Sequence, residues 1–205
     1  MSETKAKETQ FTGLLKAELE KNLPDYFVTS GESLTYKFFV DAQGQVHPKT
    51  VQNPKRGQLA FQTDLMIKKK LKVVTLESLP LVVIEVKLGR LTTHDILTYS
   101  AKATRHKEIY PYLRYGLVIG EAEKIHKRFF THNTGFDFAV AIEKQESLSE
   151  ATEIIKQQAK EAELMLKVFE GNEVKQYVAR IELTFLEKAL ANLKDHPEQQ
   201  ERPPL

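Results

Sequence analysis

Residues 79–89 read Leu79-Pro80-Leu81-Val82-Val83-Ile84-Glu85-Val86-Lys87-Leu88-Gly89. The run Leu81-Val82-Val83-Ile84 is apolar on both faces of a strand, the pattern of a central strand covered on both sides. Side chains alternate along a strand, so Glu85 and Lys87 share one face while Val82, Ile84, Val86 and Leu88 fill the other. A carboxylate and an ammonium inside such a strand are costly to bury and require a partner, a metal or a solvent-filled cleft.

Upstream, residues 58–68 predict a second strand, with Phe61, Leu65 and Ile67 on one face and Gln62 and Asp64 on the other. Lys68-Lys69-Lys70 is expected to begin a turn or an exposed strand end. Residues 41–57, with Gly44, Pro48, Asn53, Pro54 and Gly57, read as a loop. Before it, residues 33–40 predict a strand containing Tyr36, Phe38 and Phe39. Residues 5–22 predict a helix, since Phe11, Leu14, Leu15, Glu18 and Leu19 recur at helical spacing and Pro24 follows.

Downstream, Gly89 ends the strand. Thr92 with Asp95 three residues on resembles a capping box with Asp in place of Glu, opening a helix to about Tyr110 before Pro111. Residues 115–120 and 136–142 predict two further strands. Residues 149–170 predict a long helix stopped at Gly171-Asn172, and residues 174–193 a second one. The strand–helix–strand passage over residues 80–120 implies a parallel crossover. The expected fold is therefore α/β, a central mixed sheet flanked by helices, with a helical C-terminal extension. The expected organisation is a core over residues 1–145 and an extension over 146–195, packed on the core or at a dimer interface. A Glu/Gln/Pro-rich tail over 196–205 is expected to be disordered.

The chain has 205 residues and no cysteine, which excludes disulfides and thiolate metal sites. No apolar run approaches the roughly 20 residues of a membrane helix, and the N-terminus is polar. No membrane association and a cytoplasmic location are the expectations. Net charge is only +2, but its distribution is uneven. Between Lys49 and Lys72 there are seven Lys/Arg and one acid, Asp64; from Glu143 onward there are nine bases and thirteen acids. A basic middle suits a polyanion, because phosphate contacts dominate nucleic-acid affinity; a solvated lysine-rich surface is the plainer account.

Asp64 lies 21 residues before Glu85, enough for two neighbouring strands joined by a loop. Side by side, the two carboxylates offer hard oxygen ligands of the kind Mg2+ takes, its other positions filled by water and phosphate. Lys87 beside them is placed to serve an attacking water or to offset transition-state charge. The alternative is a salt-bridged structural cluster. Glu3-Thr4-Lys5 and Glu173-Val174-Lys175 repeat the bare Glu-x-Lys pattern, but neither lies in an apolar strand with an Asp-bearing strand before it.

These residues and this order of elements resemble the PD-(D/E)XK, or restriction-endonuclease-like, nuclease superfamily over roughly residues 5–120. Thr63-Asp64 stands at the PD position without its proline, and Glu85-Val86-Lys87 is the (D/E)xK element. The resemblance implies that Asp64 and Glu85, with the main-chain carbonyl of Val86, bind Mg2+ or Mn2+, and that Lys87 serves the nucleophilic water. It also implies a first-helix glutamate at the metal, for which Glu18 is slightly favoured over Glu8. On or before the following helix, Arg90, Lys102 and Arg105 are candidate phosphate contacts, with Arg56, Lys55 and Lys68-Lys69-Lys70 as others. The function implied is metal-dependent endonucleolytic hydrolysis of DNA, by a type II restriction or related host-defence nuclease acting as a homodimer. A structure-specific repair nuclease and a non-catalytic nucleic-acid-binding protein on the same fold are the alternatives, and RNA stays open as a substrate. Residues 41–56 and 126–136 are possible sequence readers. The six histidines show no metal-ligand spacing, and neither a Gly-rich phosphate loop nor a GxSxG elbow occurs.

Overall fold

The computed structural model describes residues 3–49, 54, 59–73, 76–144 and 148–171. The expected second C-terminal helix, the tail and Arg56 lie outside them. In chain order the elements are α1 (Glu3–Asn22), β1 (Tyr26–Ser30), β2 (Ser33–Thr35), β3 (Phe39–Val40), β4 (Val46–His47), β5 (Ala60–Gln62), β6 (Leu65–Val73), β7 (Leu76–Leu88), α2 (Thr93–Ile109), β8 (Arg114–Gly120), α3 (Lys127–His132), β9 (Phe138–Ile142) and α4 (Leu148–Phe169).

A five-stranded mixed sheet, ordered β1-β6-β7-β8-β9, forms the centre. The pairs β1–β6 and β6–β7 are antiparallel, while β7–β8 and β8–β9 are parallel. The apolar stretch of β7 is the middle strand and is covered on both faces: Leu81, Val82, Val83 and Ile84 are all inaccessible. The helix α1 packs against β7 and α4, and α4 spans β7, β8 and β9. Leu15 and Leu19 of α1 and Ala151, Ile155, Ala159 and Ala162 of α4 are buried. Close approach is enforced at Gly120, where an added Cβ would come within 2.8 Å of the Phe11 ring. The opposite face, on which Glu85 points, receives α2, whose Lys102 reaches that carboxylate. The parallel passage β7–α2–β8 is the expected crossover.

Four details differ from the sequence expectations. Tyr26–Ser30 is a strand of the main sheet where none was expected. The expected strand over 33–40 divides into β2 and β3, neither of which joins the main sheet. The expected strand over 58–68 changes sheets: β5 pairs with β2, and β6 enters the main sheet only at Leu65. Lys68, Lys69 and Lys70 continue within β6, with Lys68 on Glu32 and Lys69 on Glu163. The compact unit holding the sheet includes α4 and runs to Gly171.

Candidate active site

The change of sheet at Thr63-Asp64 creates the site. Were β6 to continue straight, the Thr63 carbonyl would meet the Val86 amide. Instead Gly31 N donates to the carbonyls of Thr63 and Asp64, and Thr63 N donates to Glu32 O at 2.9 Å. The Thr63 hydroxyl also donates to Glu32 O. Val86 N thus loses its ladder partner and donates to Asp64 Oδ2 at 2.8 Å. A strand residue's N–H and C=O leave on the same side, so the Val86 carbonyl faces the edge that Asp64 occupies. Since Leu65 is opposite Ile84, Asp64 stands opposite Glu85, as expected.

Glu85 is 1% exposed. Tyr115 on β8 pairs with Val83, two residues before Glu85 and so on the same face of the sheet, and its hydroxyl donates to Glu85 Oε1 at 2.6 Å. Lys102 Nζ lies 3.3 and 3.4 Å from the two oxygens. Burial pushes the Glu85 carboxyl up to about 7; Lys102 pulls it down, nearby Asp64 adds to the rise, and the Tyr115 hydrogen bond opposes it. Burial, and then the charge of Glu85, raises the Tyr115 phenol well above its ordinary range.

Lys87 lies on the same face and pairs with Asp95 at 3.5 Å. Asp95 belongs to the capping box of α2: its carboxylate accepts from Thr92 N and from the Thr92 hydroxyl, and its own N–H donates to Thr92 Oγ1. Burial works to raise the Asp95 carboxyl, but the bonds from Thr92 and the charge of Lys87 outweigh it and hold it low. The expected capping box is therefore present and also orients the motif lysine.

Tyr99 on α2 lies beside this arrangement, with the Lys102 ammonium over its ring. Burial raises its phenol first, followed by the charges of Glu85, Asp64, Asp95 and Glu8. Glu8, not Glu18, is the α1 carboxylate that reaches the motif strand, accepting from Leu88 N at 3.3 Å. Glu18 accepts from the side chain of Asn22 on its own helix; ten residues of helix put it about 15 Å farther along the axis. Lys102, expected as a phosphate contact, is engaged with Glu85 and lies over the Tyr99 ring. Arg90 and Arg105 are exposed.

Sequence reasoning missed Tyr115 as a site residue, because its strand was legible but its partner across the parallel register was not. The neighbouring aromatic packing continues from Tyr115 to His106 and on to Phe61. His106 is inaccessible. Its Nε2 bonds Leu34 O at 3.0 Å, and burial lowers its pKa to about 4.

The donor set suits a hard divalent cation. The Asp64 carboxylate, held by Val86 N, acts on the buried Glu85 carboxylate, and two oxygen-donor carboxylates side by side are what such an ion takes. Among the described residues no group of three or more His, Cys, Asp or Glu side chains is disposed to hold a metal. No protein-family model matches the chain, and a search of curated proteins finds no match.

Proposed function

We propose that this protein is a divalent-metal-dependent nuclease with a restriction-endonuclease-like core, hydrolysing phosphodiester bonds in DNA. The observation that carries the reading is the buried Glu85 opposite Asp64, where β6 leaves the sheet and Val86 turns its main chain toward the Asp64 carboxylate. Asp64, Glu85 and the Val86 carbonyl would hold the ion. When bound, it supplies Lewis acidity and charge neutralisation at a phosphoryl group.

The protein's own groups do the rest. Tyr115 and Lys102 fix the Glu85 carboxylate from two sides. The Lys87 ammonium, on the same strand face, orients the attacking water and offsets charge developing on the phosphoryl oxygens. Asp95 holds that ammonium through the α2 cap. Exposed Arg90 follows directly on the motif strand, where a phosphate backbone would pass.

The test is cleavage of unmodified plasmid and phage DNA with and without Mg2+, comparing the native protein with Asp64→Ala and Lys87→Ala. Metal-dependent cutting, reduced at least about 100-fold in both variants, is the expected result. Discrete fragments would assign restriction specificity, and smearing a structure-directed activity. Cutting by the variants at the native rate, or inertness of the native protein on DNA and RNA with Mg2+ and Mn2+, would refute the assignment.

A further inference from the structure

The partners of Glu85 are arranged more closely than its charge alone requires. An ionised carboxylate has about four lone-pair positions, an inner pair facing each other between the oxygens and an outer one on each oxygen. Lys102 Nζ stands 3.3 Å from Oε1 and 3.4 Å from Oε2. Being nearly equidistant, the ammonium stands in front of the carboxylate, across the inner pair. An ion chelated by both oxygens would sit in that same position. Tyr115 donates to Oε1 at 2.6 Å and takes a further position on that oxygen. Among the described residues Oε2 accepts from Lys102 alone, so the outer side of Oε2 is what Glu85 has left to offer.

Asp64 is limited in a similar way, since its Oδ2 accepts from Val86 N at 2.8 Å and Oδ1 is the less engaged oxygen. Both partners of Glu85 are braced. Tyr115 is inaccessible, and its ring packs on His106 and Phe136, with centroids 5.7 and 5.9 Å away. The Lys102 ammonium lies 5.2 Å from the centre of the Tyr99 ring. Its helix is anchored on either side of it by buried Ser100 and Ala103.

We infer that Lys102 and Tyr115 are positioning residues that make Glu85 a one-oxygen ligand, and that the site thereby selects Mg2+ over Ca2+. The inference rests on the nuclease reading and names the ion of that same site. Mg2+ takes about six oxygens at ~2.0–2.1 Å, one or two of them from carboxylates and the others from water and phosphate. One oxygen each from Glu85 and Asp64 satisfies that demand. Ca2+ gathers about six to eight oxygens at ~2.3–2.6 Å, and a chelating carboxylate is a usual way to reach that number. Here the chelating position of Glu85 holds an ammonium. A lysine acting through its charge alone would weaken both ions equally. One acting through its position weakens the chelated ion more, so the ratio of the two affinities separates position from charge.

The experiment follows the Tm of the full chain at pH 8 while MgCl2 or CaCl2 is titrated, against NaCl at matched ionic strength, and takes an affinity for each ion from the rise. It compares the native protein with Lys102→Met, Lys102→Arg and Tyr115→Phe. The native protein is expected to bind Mg2+ more tightly than Ca2+. Lys102→Met is expected to move the ratio toward Ca2+ by about ten-fold, as one carboxylate oxygen is gained for the larger ion. Lys102→Arg keeps a cation in front of both oxygens and is expected to keep the native ratio. Tyr115→Phe, which frees Oε1 but leaves the ammonium, is expected to move the ratio in the same direction by about three-fold. An unchanged ratio in Lys102→Met, with both ions bound more tightly, overturns the inference and leaves the metal site standing. A native preference for Ca2+, or the same shift in Lys102→Arg as in Lys102→Met, overturns it too. Binding of neither ion by the native protein removes the nuclease reading and the inference with it. The expected ratios without metal-dependent cutting of DNA or RNA would leave the inference standing and remove the nuclease.

Discussion

Burial of Glu85 carries an electrostatic cost whose sign can be worked out. Burial raises the carboxyl from 4.5 to about 7, so the folded chain binds a proton more tightly there than the unfolded chain does. The protonated form favours folding below pH 4.5, and that contribution is lost as pH rises toward 7. His106 acts in the opposite direction: its value falls from 6.5 to about 4, so its contribution is present above pH 6.5 and lost as pH falls toward 4. The two slopes offset over much of the acid range. Subtraction isolates the carboxylate. In EDTA, the urea-derived stability of Glu85→Gln minus that of the native protein is expected to grow between pH 5 and 8 by about 3 kcal/mol, at ~1.4 kcal/mol per pK unit. A difference independent of pH would mean that Glu85 is solvated or fully compensated by Lys102. The residue identities at this site were legible because strand alternation puts Glu85 and Lys87 on one face and marks them as anomalies in an apolar run. The choice between Glu8 and Glu18 was not, because both lie on α1 and only docking of the helix against β7 decides which end meets the motif.

Elements whose boundaries are set by local chemistry matched their sequence signals; those decided by partner choice did not. Thr92 and Asp95 define the start of α2 through three mutual hydrogen bonds within four residues, so the cap could be read directly. Removal of the Thr92 side chain in Thr92→Ala should cost about 1 kcal/mol of stability, measured by urea unfolding; no loss would mean that α2 is held by packing alone. The change of sheet between β5 and β6 left no such mark. Phe61, Leu65 and Ile67 keep one alternation through the break, and periodicity cannot tell one sheet from the next. Tyr26–Ser30 was legible in principle, being aromatic and β-branched between Pro24-Asp25 and Gly31. At the β8–β9 contact, Gly116 lies beneath Phe138, whose ring atoms would be 2.0 Å from an added Cβ. Gly116→Ala should therefore destabilise the fold by about 2 kcal/mol or more through overpacking next to Tyr115. A stability within 0.5 kcal/mol of native would show that Phe138 swings aside freely.

At the scale of the whole molecule, four distant parts of the chain deliver negative charge to one place: Glu8 from α1, Asp64 from the passage between sheets, Glu85 from β7 and Asp95 from α2. Lys87 and Lys102 balance two of them. Assembly of the fold thus concentrates like charge, which opposes folding unless a cation joins it. A divalent ion bound only by the folded state adds about 1.4 kcal/mol of stability at ten times its Kd. For a chain of this size that raises Tm by roughly 3–5 °C. Mg2+ at millimolar concentration is expected to produce such a rise at pH 8, where Glu85 is ionised, and NaCl at matched ionic strength is not. The discriminating variant is Glu85→Gln. It should raise Tm in EDTA, because it removes a buried charge, and abolish the Mg2+ shift, because it removes a ligand. Asp64→Asn should abolish the shift as well, without the gain in EDTA. A structural salt-bridge cluster gives another pattern: NaCl and Mg2+ act alike, and Glu85→Gln responds to both as the native protein does. The opposite signs of the Glu85→Gln effects with and without metal separate a cluster built to hold an ion from one built to hold the strands.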